Sequence, residues 1–454
     1  MVGIGGSGMS GLAALLLRHG ARVSGSDCNP SAALRRLAAA GASVTTEQTA
    51  DAIPADTVLL VASAAIPADH PELVAARQRA IPVIKYAELL GALMERSCGI
   101  AVSGTHGKST TAAWLSYTLR AAGLDPTFVI GAEVPQLAGG SGVGAGPHFV
   151  AEACEYDRSF LNLRPRLAAI LNIEEDHLDC YENIDAIAEA FARFAALLPP
   201  DGLLVINGDD PHCRAAAAGV SAAVETFGYE REHTWRAVEC RLRDGRYEFT
   251  VVHRGLPLGR VRLQLAGEHN VRNALAVAAL ASGAGVLWPT ISDALSEFRG
   301  ARRRLEVRAA IEQVIVVDDY AHHPSEIRAT LRAARERFAP RRLWTVFQPH
   351  QHSRTRFLLA DFARSFSLAD RVIVPQIYFV RDSERERQAI CADDLVARIG
   401  ACGGRAAHIP DFGRIVGLLA RELKPGDLVI TMGAGDIWKV ADELVQRLRS
   451  RGTR

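Results

Sequence analysis

A lysine, a serine and two threonines stand directly behind a glycine-punctuated turn, Gly104-Thr105-His106-Gly107-Lys108-Ser109-Thr110-Thr111. The apolar run Ile100-Ala101-Val102 precedes it and the helix-forming Ala112-Ala113-Trp114-Leu115 follows. A strand, a tight turn and a helix in that order aim backbone N–H groups and the positive end of a helix dipole at one point, where a polyphosphate is favoured. Lys108 would reach the terminal phosphates, and the Ser109 hydroxyl would hold Mg²⁺. The loop is a shorter variant of the common G-x-x-x-x-G-K-[ST] pattern, because its first glycine is Gly104 and position 102 is valine. The bland alternative is a glycine-rich turn with a solvated lysine. The strand before, the helix after and three consecutive hydroxyls argue against it and for ATP.

Other clusters also sit at junctions between apolar strands and helices. Gly3-x-Gly5-x-x-Gly8, with Asp27 ending the next strand, matches a dinucleotide fingerprint. Any ligand with a diphosphate and a ribose satisfies that geometry, so NAD and a nucleotide sugar both fit, and a tight turn without ligand is the plain alternative. Glu152 ends an apolar strand and is expected to complete a Mg²⁺ shell with Ser109, since hard oxygens suit that ion. Glu155, Glu174, Glu175 and Asp179 compete for the role. His177, after another apolar strand, suits a second ion better as Mn²⁺. Asn270 and Asn273 can read an adenine edge, although helix capping by Asn270 is the simpler reading. Arg302-Arg303-Arg304 is either a solvated basic run or a source of a cation for the γ-phosphate across a domain seam. Asp318 to Pro324 and Gln348 to Arg356 carry histidines, Tyr320 and Arg354 after strands. They can hold a small zwitterion, with Arg354 pairing its carboxylate. Zinc is the weaker alternative, as the histidines lack ligand spacing. Gly433-Ala434-Gly435-Asp436 is a further strand-to-helix turn.

These clusters need a frame of parallel strands, whose carboxyl ends share one edge. Up to about position 94 the pattern alternates: a helix over Ser10–His19, a strand over Ala21–Asp27, a helix over Ala32–Ala40 and a strand over Thr57–Val61. The second segment, 95–300, contains the strands His148–Glu152, Ala168–Ile173 and Gly202–Ile206. Antiparallel hairpins follow over Thr234–Leu265, with Asp244-Gly245 as a turn, and then a helix over Val271–Gly283. The third segment, 301–454, has strands at 314–317, 343–347, 371–374 and 427–431. The Gly/Ser-rich piece 139–146 reads as a mobile loop. The whole is α/β.

Bulk properties exclude several classes. The 454 residues suit about three domains. A net charge of +1 gives no general case for nucleic acid or an anionic membrane surface. Eight cysteines without a C-x-x-C pair read as free thiols in a reducing compartment. The apolar stretch Leu12–Leu17 follows a glycine turn, not a basic leader, and no run is long enough for a membrane span. A soluble, cytoplasmic protein, monomeric or homodimeric, is expected.

Taken together and in order, these motifs resemble the Mur ligases of bacterial cell-wall synthesis. The carriers are Gly3 to Gly11, Gly104 to Thr111, Glu152-Ala153-Cys154-Glu155-Tyr156 with Ser159-Phe160-Leu161, Asn172 to Asp179, Gly267 to Asn270, Asp318 to Pro324 and Phe347 to His350. The similarity runs across essentially the whole chain. It implies three domains: an N-terminal Rossmann-like UDP-binding domain (1–94), a central P-loop-type ATPase domain (95–300) and a C-terminal Rossmann-like domain (301–454) that closes over the site. It implies UDP-N-acetylmuramate and L-alanine as substrates, joined through an acyl phosphate made with ATP. A sister activity that attaches a recycled murein tripeptide is the alternative.

Gly5, Gly6, Gly8, Met9, Ser10, Asp27 and Ser63 would face the uridine nucleotide. Gly104, Thr105, His106, Gly107, Lys108, Ser109, Thr110, Asn270, Asn273, Arg304 and Asp319 would surround ATP. Ser109, Glu152 and His177 would hold metal, and Lys108, His177 and Arg304 would act in catalysis. Tyr320, His322, His350 and Arg354 would form the alanine pocket. The chain departs from the family pattern in four places. Its first strand is limited to Met1–Ile4, or the natural start lies upstream. His70 and Gln351 stand where relatives often show Asn and a basic residue. The carbamylated lysine of sister ligases has no counterpart after His177, where Arg193 is the nearest cation.

Overall fold

The structure is a computed structural model that describes residues 1–451 apart from 178, 179 and 381. Its centre is a ten-stranded sheet whose middle strands are parallel. The phosphate-loop strand Cys98–Ser103 lies between Leu167–Ile170 and His148–Glu152. Side chains along it are buried almost throughout, as expected of a parallel strand covered on both faces. One face carries the helices Lys108–Ala121 and His269–Gly283, the other Ile184–Ala195. Trp235–Arg243, Arg246–His253 and Leu256–Arg262 extend one edge as antiparallel hairpins. Asp244 and Gly245 both take positive φ, 49° and 69°, the geometry of the expected tight hairpin turn.

The C-terminal part is a six-stranded sheet. Its order is Glu306–Ile311, Val314–Asp319, Asp427–Met432, Arg342–Phe347, Arg371–Val374 and Ala406–His408. All neighbours are parallel except the first pair, a hairpin whose edge strand the sequence pattern did not reveal.

The N-terminal part holds two short parallel pairs, Ser24–Ser26 with Ser43–Thr45 and Leu60–Ala62 with Val83–Lys85. Val2 bridges Ser26 on one side and Ala62 on the other, so a single residue joins the halves. Pairing here covers three residues per strand, which corrects the longer strands expected over 21–27 and 57–61. Val58 is 84% exposed, outside the paired stretch. The first helix spans Ser7–Arg18, starting directly at the glycine turn. Its Leu12 and Leu15 enter the same core as Phe149, Phe160 and Phe194, together with Leu90 and Met94 of helix Tyr86–Met94. The N-terminal part is therefore welded to the central sheet.

The segment 139–146 is not a free loop. Ser141–Gly142 forms an edge strand antiparallel to Thr127–Val129. Beyond it the amides of Gly144, Ala145 and Gly146 donate to Thr127 Oγ1, Asp125 Oδ2 and the Asp125 carbonyl, at 3.2, 2.8 and 2.9 Å. Glycine is required for the backbones to pack this closely, and composition alone mimics a flexible linker. Among the described residues no helix is long and apolar enough to cross a membrane.

Candidate active site

The phosphate loop leaves the central strand at Gly104 and enters its helix through Gly107, which adopts φ 84° as the N-cap. A Cβ at Gly107 would stand 3.0 Å from Asn273 Oδ1, so both conformation and space call for glycine. The amides of Lys108, Ser109 and Thr110 open the helix and lack intrahelical acceptors by geometry. The loop is held from behind by Asn172, whose Oδ1 accepts the His106 amide at 2.7 Å and whose Nδ2 donates to the His106 carbonyl at 3.1 Å. Lys108 Nζ donates to the carbonyls of Gly104 (2.6 Å) and Thr105 (3.0 Å) and pairs with Glu155 at 2.9 Å. Burial disfavours its charge, but Glu155 together with Cys154 and Glu152 outweighs that and raises its pKa. Glu155, 3% exposed, faces His177 Nε2 at 3.5 Å on its other side.

Ser109 Oγ donates to Glu152 Oε1 at 2.9 Å, and Glu152 Oε2 accepts the Gly131 amide at 2.7 Å. Two hard oxygens beside the helix N-terminus fit Mg²⁺. His177 is brought instead to Glu155, and its ring centroid lies 5.2 Å from that of Tyr156 with the planes at 62°. The third expected ligand thus lies beside a different carboxylate from Ser109 and Glu152. Of the competing acids, Glu174 pairs with His106, the Glu175 carbonyl accepts from His323, and Asp179 falls outside the described residues.

A cavity of about 790 Å³ opens from the loop toward the C-terminal part. His106, Thr110, Asn270, Asn273, Arg304 and Asp319 are among its walls. Asn270 lies inside helix His269–Gly283, not at its cap, which belongs to Glu268. Its Nδ2 donates to the Ala266 carbonyl at 2.7 Å and its Oδ1 accepts from Asn273 at 3.1 Å. The capping reading is overturned, because the helix starts one residue before it.

The three arginines are not a solvated run. Arg302 pairs with Glu306, Arg303 with Asp318 at 2.9 Å, and Arg304 Nη2 comes within 3.5 Å of Ser109 Oγ across the domain seam. Asp319 accepts amides from Leu305 (2.6 Å) and Ala321 (2.8 Å). Burial pushes its pKa up to about 6, against the pull of Arg304.

His106 is enclosed by Glu174 at 3.5 Å and Glu326 at 3.3 Å, with the His323 ring 4.9 Å away. Burial works against its charge, but the two carboxylates prevail and hold its pKa up at about 10. His106, Glu174 and His323 present metal-binding atoms within 4.8 Å of one another.

In the cluster expected to hold the amino acid, the His322 ring lies 5.3 Å from Tyr320 and 6.2 Å from His350. Burial, with Arg354 adding, lowers the His322 pKa to about 4, so the ring is neutral. Arg354 is buried and pairs with Asp176 at 3.0 Å, beside His177. Arg354, Asp176, His177 and Gln351, the last at φ 70°, line a small cavity of about 20 Å³, which Tyr320, His322 and His350 do not reach. Tyr320 also lies 5.1 Å below both Arg303 and Arg304, linking the cluster to the phosphate side.

In the N-terminal part, Asp27 closes the glycine turn: Oδ2 accepts the Gly5 amide at 2.9 Å and Oδ1 the Asn29 amide at 3.0 Å. Ser63 follows the neighbouring strand, and its amide donates to the Val2 carbonyl at 3.1 Å. A Cβ on Gly8 would stand 2.9 Å from the Tyr86 ring and hydroxyl, while Gly6 turns back on the Gly3 carbonyl at 3.2 Å. Met9 is buried and Ser10 half-buried, one turn into the helix. His70 caps helix Pro71–Gln78 through Nδ1, at 3.3 Å from the Glu72 amide. Arg193 is exposed on helix Ile184–Ala195.

Sequence reasoning passed over Asp176 as the partner of Arg354, and Glu326 altogether. Glu326 follows His323 by three residues, a capping-box spacing that signals a helix start and hides any further role.

The comparisons with known proteins agree along the chain. The Mur ligase catalytic-domain, middle-domain and glutamate-ligase-domain families match residues 1–97, 102–281 and 303–435. The UDP-N-acetylmuramate–L-alanine ligase of Pelotomaculum thermopropionicum is 44% identical over 452 residues, covering 99% of this chain and 97% of that protein. The ligase of the same name from Salinibacter ruber is 40% identical over 453 residues, covering 100% of this chain and 95% of that protein. Among solved structures, the UDP-N-acetylmuramate-alanine ligase of Thermotoga maritima superposes with TM-score 0.85 at 28% identity, covering 99% and 98% of the two chains. A murein peptide ligase from Psychrobacter arcticus gives TM-score 0.76 at 25% identity, covering 98% of each. A phosphate loop, a seam-crossing arginine and a C-terminal polar cluster on one three-part α/β frame, matched in order over its whole length, make this chain a member of the Mur ligase family.

Proposed function

We propose that this ATP-dependent ligase joins the lactyl carboxylate of UDP-N-acetylmuramate to the amine of L-alanine in peptidoglycan precursor synthesis. The observation that carries the reading is the reach of Arg304, from the C-terminal part, to Ser109 on the phosphate loop. A cation from a separate domain, placed at the loop's hydroxyl, suits a reaction in which closure completes the charge around a transferring phosphoryl group.

A carboxylate does not accept an amine unaided. Transfer of the γ-phosphoryl group to the acid makes an acyl phosphate, which the amine attacks with loss of phosphate. Residues 1–94 would hold the UDP moiety with Gly5, Gly6, Gly8, Met9, Ser10, Asp27 and Ser63. Residues 95–300 would bind ATP, with the amides of Gly107 to Thr110 on its phosphates, the Thr105 and His106 amides being held by Asn172, and Asn270 and Asn273 toward adenine. Residues 301–454 would add Arg304 and Asp319 and present alanine from Tyr320, His322, His350 and Arg354. Lys108 and Arg304 would neutralise charge on the transferring group. Ser109 and Glu152 would hold Mg²⁺, which when bound supplies further charge neutralisation on the phosphates. His177 would serve a second ion, Mn²⁺ substituting there, shared with Glu155. The need for ATP and a UDP-sugar places the reaction in the cytoplasm.

The match of relatives named UDP-N-acetylmuramate–L-alanine ligase, 40–44% identical over nearly the whole chain, favours a single small amino acid over a tripeptide. Labelled L-alanine and labelled murein tripeptide, offered separately with UDP-N-acetylmuramate and ATP, test this point. Label should enter the UDP-linked product from alanine; preferential incorporation of the tripeptide would overturn the choice.

A further inference from the structure

Glu326 opens helix Pro324–Phe338 at the third position of a capping box with His323 as N-cap. In that motif the carboxylate ordinarily serves one backbone amide at a solvated helix end. Here it serves more. Its side chain is 12% exposed. Oε2 accepts the amides of His322 at 3.0 Å and His323 at 3.3 Å, and lies 3.3 Å from His322 Nδ1. Oε1 points the other way, to His106 Nδ1 at 3.3 Å and Arg304 Nη1 at 3.9 Å. One carboxylate thus meets the phosphate loop of the central part, the arginine at the seam and the histidine of the amino-acid cluster.

The contacts at His322 also select its tautomer. Nδ1 lies between two acceptors, Glu326 Oε2 and the Tyr320 carbonyl at 3.1 Å. A neutral ring flanked in this way carries its proton on Nδ1 and keeps the Nε2 lone pair as an acceptor. An incoming ammonium group needs such an acceptor before its nitrogen can attack.

We propose that Glu326 is a positioning residue for the ligation: Oε1 sets Arg304 and His106 on the phosphate side while Oε2 fixes the His322 tautomer on the amine side. The inference rests on the alanine-ligase reading above. Burial opposes its ionisation, but the charges of His106 and Arg304 hold its carboxyl below the usual range, so the group is an anion at neutral pH.

Glu326→Gln separates this role from capping, because glutamine completes a capping box as glutamate does. The measurement is steady-state ADP formation by the full chain, unaltered and substituted, with each substrate varied in turn. Thermal midpoints are recorded alongside. The proposal expects Glu326→Gln to melt within a few degrees of the unaltered chain. Its kcat should fall by about 10- to 100-fold, with KM raised several-fold for ATP and alanine and within twofold for UDP-N-acetylmuramate. Glu326→Asp keeps the charge but shortens its reach; it should fold and show the same pattern more weakly. Unchanged kinetics in both variants would overturn the proposal and leave a capping residue. Equal losses for all three substrates with a lowered midpoint would also overturn it. If the unaltered chain itself makes no ADP with alanine, the alanine-ligase reading fails first and this inference with it.

Discussion

At the scale of single residues, much of the chemistry rests on charges that are buried together. Lys108, Glu155 and His177 form one chain of contacts, and Glu174, His106 and Glu326 form another. Lys108→Ala should reduce ADP formation by on the order of 10³-fold, as expected if the lost charge is the one proposed to act on the transferring group, while UDP-substrate binding measured by calorimetry stays nearly intact. Retained turnover would remove the loop from catalysis. The second chain makes a statement about pH. In the fold the His106 pKa is raised from 6.5 to about 10, so its pairing stabilises fully below 6.5 and is lost as pH rises through 10. Glu174, lowered from 4.5 to about 2, contributes above 4.5 and loses its contribution as pH falls through 2. The thermal midpoint of the unaltered chain should therefore decline more steeply between pH 7 and 10 than that of His106→Gln. Parallel curves would show that His106 is not held as a cation. Lys108 and Ser109 stood out in the sequence because their types and spacing are local signals, whereas Arg304 was singled out from a three-arginine run only by the family resemblance. Glu326 and Asp176 were not, because their partners are more than a hundred residues away in the chain.

At the scale of elements, strong apolar runs and turn chemistry were readable. The strand His148–Glu152 and the hairpins between Trp235 and Arg262 fall where alternation and Asp244-Gly245 put them. Composition misled at 139–146, where glycines serve close packing and not freedom. A methyl group on Gly144 would overlap the Asp125 carbonyl. Gly144→Ala should cost about 1–3 kcal/mol of stability, as overpacking does, measured by urea denaturation; a neutral result would restore the flexible reading. The antiparallel edge strand Glu306–Ile311 was also missed: its alternation of Glu, Arg and small apolar residues is that of a half-exposed strand, and its turn at Glu312-Gln313 lacks glycine although both take positive φ.

At the scale of the whole molecule, the three-part α/β plan followed from strand–helix alternation together with the order of motifs. What that plan could not give is how the parts meet. The N-terminal helix Ser7–Arg18 shares its core with the central sheet, whereas the C-terminal part meets the phosphate loop through charged contacts around a cavity. Apolar welding suits a fixed relation, and a polar seam suits one that opens to admit substrates and closes to exclude water. A reaction run across such a seam should need every substrate at once. The most direct test is ADP formation by the purified full chain, with UDP-N-acetylmuramate and L-alanine supplied singly and together. ADP should accumulate in step with the amide product when both are present and stay near background when alanine or the sugar nucleotide is omitted; equal ADP release with neither, or none with both, would contradict it.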